Sequence, residues 1–92
     1  MTNYTELKVI YDSRKSFYGK AHIRTDRDGL TLISYNTEVA KIVDKNHGYS
    51  IPAYAIIYGT YSQTTLRHIK EFLKQNGFKA ESKAQIEKDY LI

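Results

Sequence analysis

The spacing of the apolar residues changes at Ser62, and this change constrains the fold more than any other feature. Before Ser62, apolar and polar residues alternate, as in the run from Leu7 to Tyr11, which is typical of β-strands with one solvated face. After Ser62 the apolar residues recur at helical spacing and form one stripe: Leu66, Ile69, Phe72 and Leu73. In 92 residues this order indicates a single α+β domain, spanning 1–92, in which a helix packs on a sheet.

The first part of the chain predicts an antiparallel β-meander of about four or five strands. The predicted strands are residues 7–11, 17–24, 30–35, 39–43 and 49–58. Polar or glycine-containing turns separate them, at residues 12–16, 26–29, 34–37 and 44–48. Pro52 cannot donate a hydrogen bond to a neighbouring strand, so we expect an edge or a bulge in the fifth strand.

The helical part predicts one packed helix and a short C-terminal helix. Ser62 is the expected N-cap of the packed helix, and Gly77 is expected to adopt a left-handed conformation just after its end, with Phe78 folding back as in a Schellman motif. Ser82 and Gln85 have the spacing of a capping box that opens the C-terminal helix.

The packed helix has an apolar and a polar side. We expect its apolar stripe to dock on sheet residues Leu7, Val9, Phe17, Ile23, Leu32 and Val39. Its other side, expected in solvent, carries Arg67, Lys70, Glu71 and Lys74.

Composition limits the compartment and the chemistry. The chain has no cysteine, which excludes disulfides, thiolate metal sites and cysteine nucleophiles, and suits a reducing cytoplasm. The N-terminal residues lack the apolar core of a signal peptide. The longest stretch free of charged residues, 47–66, contains Pro52, Gly59 and four tyrosines, so it is not a membrane span. We therefore expect a cytoplasmic protein that does not enter a membrane.

Motifs for catalysis or cofactor binding are missing. No glycine-rich loop precedes a helix, and no pair of carboxylates stands out for acid–base chemistry. The three histidines, His22, His47 and His68, lie apart, and each is expected to be a surface or capping residue. We therefore expect no enzyme activity, no metal and no cofactor.

The clearest positive signal is a basic segment at residues 13–25. It holds Arg14, Lys15, Lys20 and Arg24 and has no acidic residue. Strand alternation would place four side chains on one exposed face, a mixture of cations and rings that favours phosphates and stacked bases: Tyr18, Lys20, His22 and Arg24. The alternative is that these residues only form the solvated outer face of a half-buried strand.

Two further patterns leave similar alternatives open. Arg67, Lys70 and Lys74 form a basic line along the helix, which is either a solvated face or a second nucleic-acid contact. The chain has nine tyrosines, and Tyr54 and Tyr58 share a strand face with Ile56. These two rings either anchor an interface or pack under the helix.

Four short stretches carry a resemblance: residues 16–21, 34–40, 61–69 and 71–78, with Ser-Tyr-Asn-Thr and Tyr-Ser-Gln-Thr-Thr as the specific parts. Over residues 5–78 the chain resembles a family of small uncharacterised proteins carried by phages and mobile elements of Firmicutes bacteria; residues 79–92, the short helix, look like an addition. The family has no assigned catalytic residues. The resemblance implies a setting shared with inhibitors of host defence such as anti-CRISPR proteins.

The leading hypothesis is a phage or mobile-element accessory protein that inhibits a host defence nuclease, a CRISPR effector in particular, by stoichiometric binding in the cytoplasm of the bacterial host. Because the net charge is +4, its expected contacts are protein surface, guide RNA or DNA, and not an imitation of DNA charge. The alternative is a small nucleic-acid-binding or regulatory module that uses the basic hairpin. A homodimer is a further option for either.

Overall fold

The computed structural model describes residues 3–44 and 52–92. Its elements are β1 (Asn3–Glu6), β2 (Ala21–Asp26), β3 (Gly29–Ser34), β4 (Thr37–Val43), β5 (Tyr54–Ile57), α1 (Gln63–Gln75) and α2 (Lys83–Tyr90). The five strands form one sheet in chain order, and each pairs antiparallel with the next. The α+β meander with a packed helix and a short C-terminal helix is therefore confirmed.

Both helices pack on one face of the sheet, where they share a single core. The buried core joins α1 and α2 to the sheet through Leu7, Phe17, Leu32, Val39, Ala40, Ile57, Ile69, Phe72, Leu73 and Ile86. The predicted core residues Val9, Ile23 and Leu66 are partly buried at its border. Each fully buried large apolar side chain stabilises the fold by about 1.5–3 kcal/mol. The opposite face of the sheet is referred to below as the open face.

The predicted limits of α1 are confirmed by its hydrogen bonds. Ser62 caps the N-terminus by accepting the N–H of Thr65. At the other end Gly77 has φ 82°, and the N–H groups of Gly77 and Phe78 donate to the carbonyls of Lys74 and Leu73. These two bonds define the expected Schellman motif.

The C-terminal helix is short and closes one edge of the sheet. Ser82 accepts the N–H of Gln85 as its N-cap, whereas the Gln85 side chain reaches the N–H of Glu81 and not that of Ser82. After α2, Leu91 forms a bridge with Ile57 on β5. No helix in residues 3–44 and 52–92 has the length and apolarity needed to cross a membrane.

The first predicted strand, residues 7–11, is wrong. β1 lies earlier, at Asn3–Glu6, and pairing with β2 ends where the N–H of Leu7 donates to the carbonyl of Ala21. The chain then leaves the sheet, because the N–H groups of Ile10, Tyr11 and Asp12 bind a side chain of α1.

That side chain is Glu71, which was predicted on the solvated side of the helix and is only 1% exposed. Its carboxylate accepts the N–H groups of Ile10, Tyr11 and Asp12 at 3.1, 3.0 and 2.8 Å. The Gln75 side chain also donates to it. A buried charge needs this number of donors, because an unpaired one is strongly destabilising. Glu71 therefore holds the loop of residues 7–20 against α1.

Two other predicted strands are shorter in the structure. β2 begins at Ala21 and not at residue 17, because Tyr18 and Gly19 both have positive φ and turn the chain. β5 covers Tyr54–Ile57, and Pro52 precedes it without belonging to the ladder. β5 is an edge strand, as Pro52 suggested. Residues 45–51, which include most of the predicted turn and Tyr49, lie outside the described residues.

Candidate functional site

Two tight turns lie side by side at one end of the sheet. In the first, Tyr18 (φ 53°) and Gly19 (φ 73°) are closed by a 2.9 Å bond from Lys20 N–H to Phe17 O. In the second, the predicted β3–β4 turn, Tyr35 (φ 50°) and Asn36 (φ 74°) connect two paired strands. Positive φ at both central residues is the signature of type I′ turns. A 2.9 Å bond from Tyr35 N–H to Lys20 O joins the two turns.

Tyrosine is an unusual residue at the first central position of such a turn. A left-handed conformation costs a residue with a side chain roughly 1–2 kcal/mol, and asparagine or glycine is the usual choice. Tyr18 is 74% exposed, so burial of its ring does not offset this cost. Tyr35 is 50% exposed, and its ring lies 5.8 Å, centroid to centroid, from the ring of His68. Residues held in such uncommon backbone conformations cluster at functional sites.

Three adjoining hollows lie along these turns and share lining residues. The first, about 210 Å³, lies between Tyr18 and Tyr35. The second, about 310 Å³, continues past Lys20, Tyr35 and Asn36, and the third, about 490 Å³, opens over the open face near Tyr4. We call these three hollows together the groove. Its main lining residues are Arg14, Tyr18, Lys20, His22, Arg24, Tyr35 and Asn36.

The groove is cationic at its tyrosine end. Arg14 and Lys20 are exposed on the rim of the first hollow. Within residues 3–44 and 52–92, neither side chain makes an ion pair. Both charges are therefore available to an anionic ligand. Lys15, another predicted site residue, is exposed but lines none of the three hollows.

At the far end of the groove the charge is compensated. The Arg24 guanidinium donates to Glu38 and to Asp26, each at 2.8 Å. The pKa of Arg24 is raised above its usual value, mainly by the hydrogen bond to Glu38 and next by the hydrogen bond to Asp26. The pKa of Asp26 is lowered below its usual value, mainly by the hydrogen bond from the Thr31 hydroxyl and then by the hydrogen bond from Arg24. Arg24 lines the groove as predicted, but its charge is already bound by carboxylates.

His68 was expected at the surface or at a cap, and this expectation is wrong. It is 1% exposed and lines the first hollow, with its ring edge against Phe17 at a centroid distance of 4.6 Å. Its Nδ1 lies 2.8 Å from the Ser34 hydroxyl, which in turn lies 3.1 Å from the Thr65 hydroxyl. Burial lowers the pKa of His68 below 6.5, so its ring is neutral at pH 7. Ser34 is also buried and, unlike His68, does not line the first hollow.

The other histidines are not part of this cluster. His22 lines the second and third hollows of the groove, and His47 lies outside the described residues. Among the residues that the structure describes, no three His, Cys, Asp or Glu side chains are placed to share a metal ion.

The basic line of α1 lies on a different surface from the groove. Arg67 is paired with Asp12 at 3.0 Å, which fastens the loop of residues 7–20 a second time. Lys70 and Lys74 line a separate hollow of about 430 Å³, together with Tyr11. The residues predicted on α1 therefore do not extend the cationic end of the groove.

Tyr54 and Tyr58 are exposed and do not pack under the helix, so the core alternative for them is wrong. Tyr54 pairs with Val43, and its neighbour Ala55 belongs to the core. Because successive strand residues point to opposite faces, Tyr54 belongs to the open face. The interface alternative stays a prediction.

Five residues of the site were not among the predicted site residues: Ser34, Tyr35, Asn36, Thr65 and His68. Ser34 and Tyr35 were assigned to the end of the third strand and, with Asn36, to a turn. The available signal was a tyrosine directly before an asparagine in a two-residue hairpin loop, a position that rarely holds an aromatic residue. Thr65 and Ser34 could not be paired from the sequence, because they are 31 residues apart.

No curated protein and no solved structure matches this chain. One family model does match, over residues 5–88, and it is described as a family of unknown function, DUF8033. The matched range contains both tyrosine turns, Glu71 and all lining residues of the first and second hollows. The chain therefore belongs to the DUF8033 family of unknown function.

Proposed function

We propose that this protein is a non-catalytic module that binds single-stranded nucleic acid in the groove. The observation that carries the proposal is the pairing of two exposed, left-handed tyrosines, Tyr18 and Tyr35, with two cations that have no ion pair in the described part of the chain, Arg14 and Lys20. Aromatic rings stack on unpaired bases, and cations along the same groove follow the phosphates.

The arrangement favours single strands over duplexes. Stacking on a tyrosine requires a base whose face is free, which a base inside a duplex does not offer. Tyr18 and Tyr35 stand at turn tips beside concave hollows of about 210 and 310 Å³. A hollow of this kind admits a base that has left its stack.

The decisive experiment measures binding of single-stranded DNA and RNA across salt concentration. Each phosphate contact on a single strand contributes about −0.7 to the slope of log K against log salt. Arg14→Ala with Lys20→Ala should therefore weaken binding and make the slope shallower by about 1.4.

The matched control is Lys83→Ala with Lys88→Ala. It removes the same two charges from exposed positions of α2 that do not line the groove. Its salt slope should stay that of the wild type. Equal losses in both double variants would mean that net charge, and not the groove, attracts the nucleic acid. A wild-type protein that binds neither DNA nor RNA at low salt would refute the proposal.

A second candidate function rests on the exposure of Tyr54 and Tyr58 on or beside β5. Tyrosines with large exposed area are favoured anchors of protein interfaces. They support the hypothesis of an inhibitor that a phage or mobile element carries and that blocks a defence nuclease, such as a CRISPR effector, in the cytoplasm of its bacterial host.

The inhibitor hypothesis is tested with a purified CRISPR effector and its guide RNA. Equimolar protein should stop cleavage, and Tyr54→Ala with Tyr58→Ala should weaken inhibition by roughly tenfold or more without lowering the melting temperature. Tyr11→Ala, an exposed tyrosine on another surface, serves as the control. Cleavage that continues in the presence of excess protein would count against this candidate for that effector.

A further inference from the structure

The first hollow of the groove ends at His68, whose ring is almost fully enclosed. Nδ1 is bonded to Ser34, whereas Nε2 has no hydrogen-bond partner among the described residues. Every fully enclosed side-chain nitrogen or oxygen of those residues does have a partner. Nε2 is therefore not fully enclosed, and His68 is one of the residues that line the hollow.

A chain of hydroxyl groups connects the N-cap of α1 to Nδ1 of His68. The Ser62 hydroxyl donates to the Thr65 hydroxyl at 3.3 Å. A chain that continues in the same direction has Thr65 donate to Ser34, and Ser34 donate to Nδ1 of His68. In that direction Nδ1 accepts, and the proton of the neutral ring lies on Nε2. A base that accepts a hydrogen bond from His68 requires this direction.

The size and walls of this hollow limit what it can hold. Its volume is about 210 Å³, below the roughly 300–1,000 Å³ of pockets for drug-sized ligands, so it holds a ring system and not a whole nucleotide. Phe17, Tyr18 and Tyr35 supply aromatic walls, and Arg14 and Lys20 stand at the rim. His68, a neutral ring, lies at the floor of the hollow, and two cations stand at its rim. This arrangement fits a planar ring that enters the hollow and is attached to a negatively charged group at the rim.

We propose that this hollow is a base pocket, which receives one unpaired nucleobase whose carbonyl or ring nitrogen accepts the Nε2–H of His68. The phosphates that flank this base contact Arg14 and Lys20. The inference rests on the proposed function and adds to it one base-edge contact at a fixed place in the groove. Hydrogen bonds to base edges, together with stacking on aromatic side chains, are how unpaired bases are recognised.

The first test uses uridine, a nucleoside that has a base edge but no phosphate, and follows ring resonances of the intact protein by NMR. Uridine should shift the resonances of His68 and Tyr35 in a saturable manner. His22, which lines the groove but not this hollow, is the internal control and should shift less. Uridine at millimolar concentration that leaves His68 unmoved would overturn the base pocket.

The second test compares a short thymidine oligonucleotide with a sugar-phosphate strand of the same length that lacks bases. The oligonucleotide should bind about tenfold or more tightly, since stacking on one ring alone gives a gain of this order. His68→Phe should reduce the difference, because it removes the contact to the base edge and leaves the stacking rings in place. Because His68 is buried, Tyr35→Asn, at an exposed position, tests the aromatic wall of the same hollow if the first variant does not fold.

The outcomes separate the two proposals. Equal affinity for the two strands, with no uridine shift at His68, overturns the base pocket and leaves binding of the phosphate chain in place. No binding of either strand at low salt overturns the proposed function, whereas a uridine shift at His68 would then still support the pocket.

Discussion

The two hairpin turns that flank β3 reverse the chain with different residues. The β2–β3 turn has Arg27 and Asp28 at its centre and closes on Gly29, with φ 151°, where an added Cβ would lie 1.9 Å from the carbonyl oxygen of Ile42. The β3–β4 turn has Tyr35 at its centre, with φ 50° and 50% exposure of the residue. Glycine meets a steric demand of the fold at the first turn. The second turn accepts strain that asparagine or glycine would avoid, which indicates that the ring itself is needed there.

The two ends of the sheet also differ in how they are held. The Gly29 end is fixed locally, by the pairing of β2, β3 and β4. The tyrosine end depends on the loop of residues 7–20, which is fastened to α1 by Glu71 and by the Asp12–Arg67 pair. Part of the groove therefore lies on a loop whose position depends on long-range contacts.

Removing the Glu71 carboxylate should have the largest effect. Glu71→Ala would leave the N–H groups of Ile10, Tyr11 and Asp12 without their acceptor, and we expect a loss of about 3–5 kcal/mol in the free energy of unfolding. Urea denaturation measures it. Glu81→Ala, at an exposed carboxylate, should change stability by no more than about 0.5 kcal/mol. A similar, small change in both variants would show that the loop does not depend on Glu71.

Adding a methyl group at the two ends of the sheet should give unequal losses. Gly29→Ala should destabilise by about 2–3 kcal/mol, because the new Cβ meets backbone and φ is unfavourable. Gly19→Ala should cost only about 1 kcal/mol, because nothing lies within 4 Å of its Cβ and only the left-handed conformation opposes it. Thermal unfolding of both variants is the measurement. Equal losses of stability in the two variants would show that the close backbone contact at Gly29 adds nothing to the cost of a side chain there.

Acid should weaken the histidine cluster behind the tyrosine end. Burial lowers the pKa of His68 in the folded protein below 6.5, so the unfolded chain binds a proton more readily than the folded one. The stabilising contribution of the neutral ring is complete above pH 6.5 and is lost as the pH falls through the folded-state pKa. An NMR titration of the His68 ring checks the direction. A midpoint at or above 6.5 would contradict the enclosed, neutral ring.

The smallest effect is expected at the compensated end of the groove. Arg24→Gln with Glu38→Gln removes one charge of each sign, so the net charge of this end is unchanged. The salt slope of nucleic-acid binding should stay within about 0.3 of the wild type, since no phosphate contact is lost. A slope shallower by about 0.7 would place a phosphate on Arg24 and extend the cationic end.

The sequence predicts those parts of the fold whose cause is local. The Ser62 cap and the Gly77 ending set the limits of α1, and the turn around Asn36 was placed correctly, because each depends on a few adjacent residues. The first strand was misplaced because the acceptor of its N–H groups, Glu71, lies about 60 residues further along the chain. Periodicity carries no information on such a contact.

The predicted residues of the basic segment do lie together, although the structural reason given for this was wrong. Tyr18, Lys20, His22 and Arg24 do line one groove, but a turn followed by a strand places them there, not a single strand. The His68 cluster could not be foreseen, because Ser34 and His68 are 34 residues apart and meet only when α1 docks.

The central claim is that Tyr18 and Tyr35 lower the stability of the fold through their left-handed backbone, and that their exposed rings bind the ligand. The most direct measurement is the double variant Tyr18→Asn with Tyr35→Asn, examined for thermal unfolding and for binding of single-stranded DNA and RNA. Asparagine tolerates the left-handed conformation, and its pairing with Gly19 is a preferred type I′ sequence. We predict a melting temperature equal to or above that of the wild type and an affinity lower by about tenfold or more. A double variant that melts at a lower temperature and binds as tightly as the wild type would contradict the account.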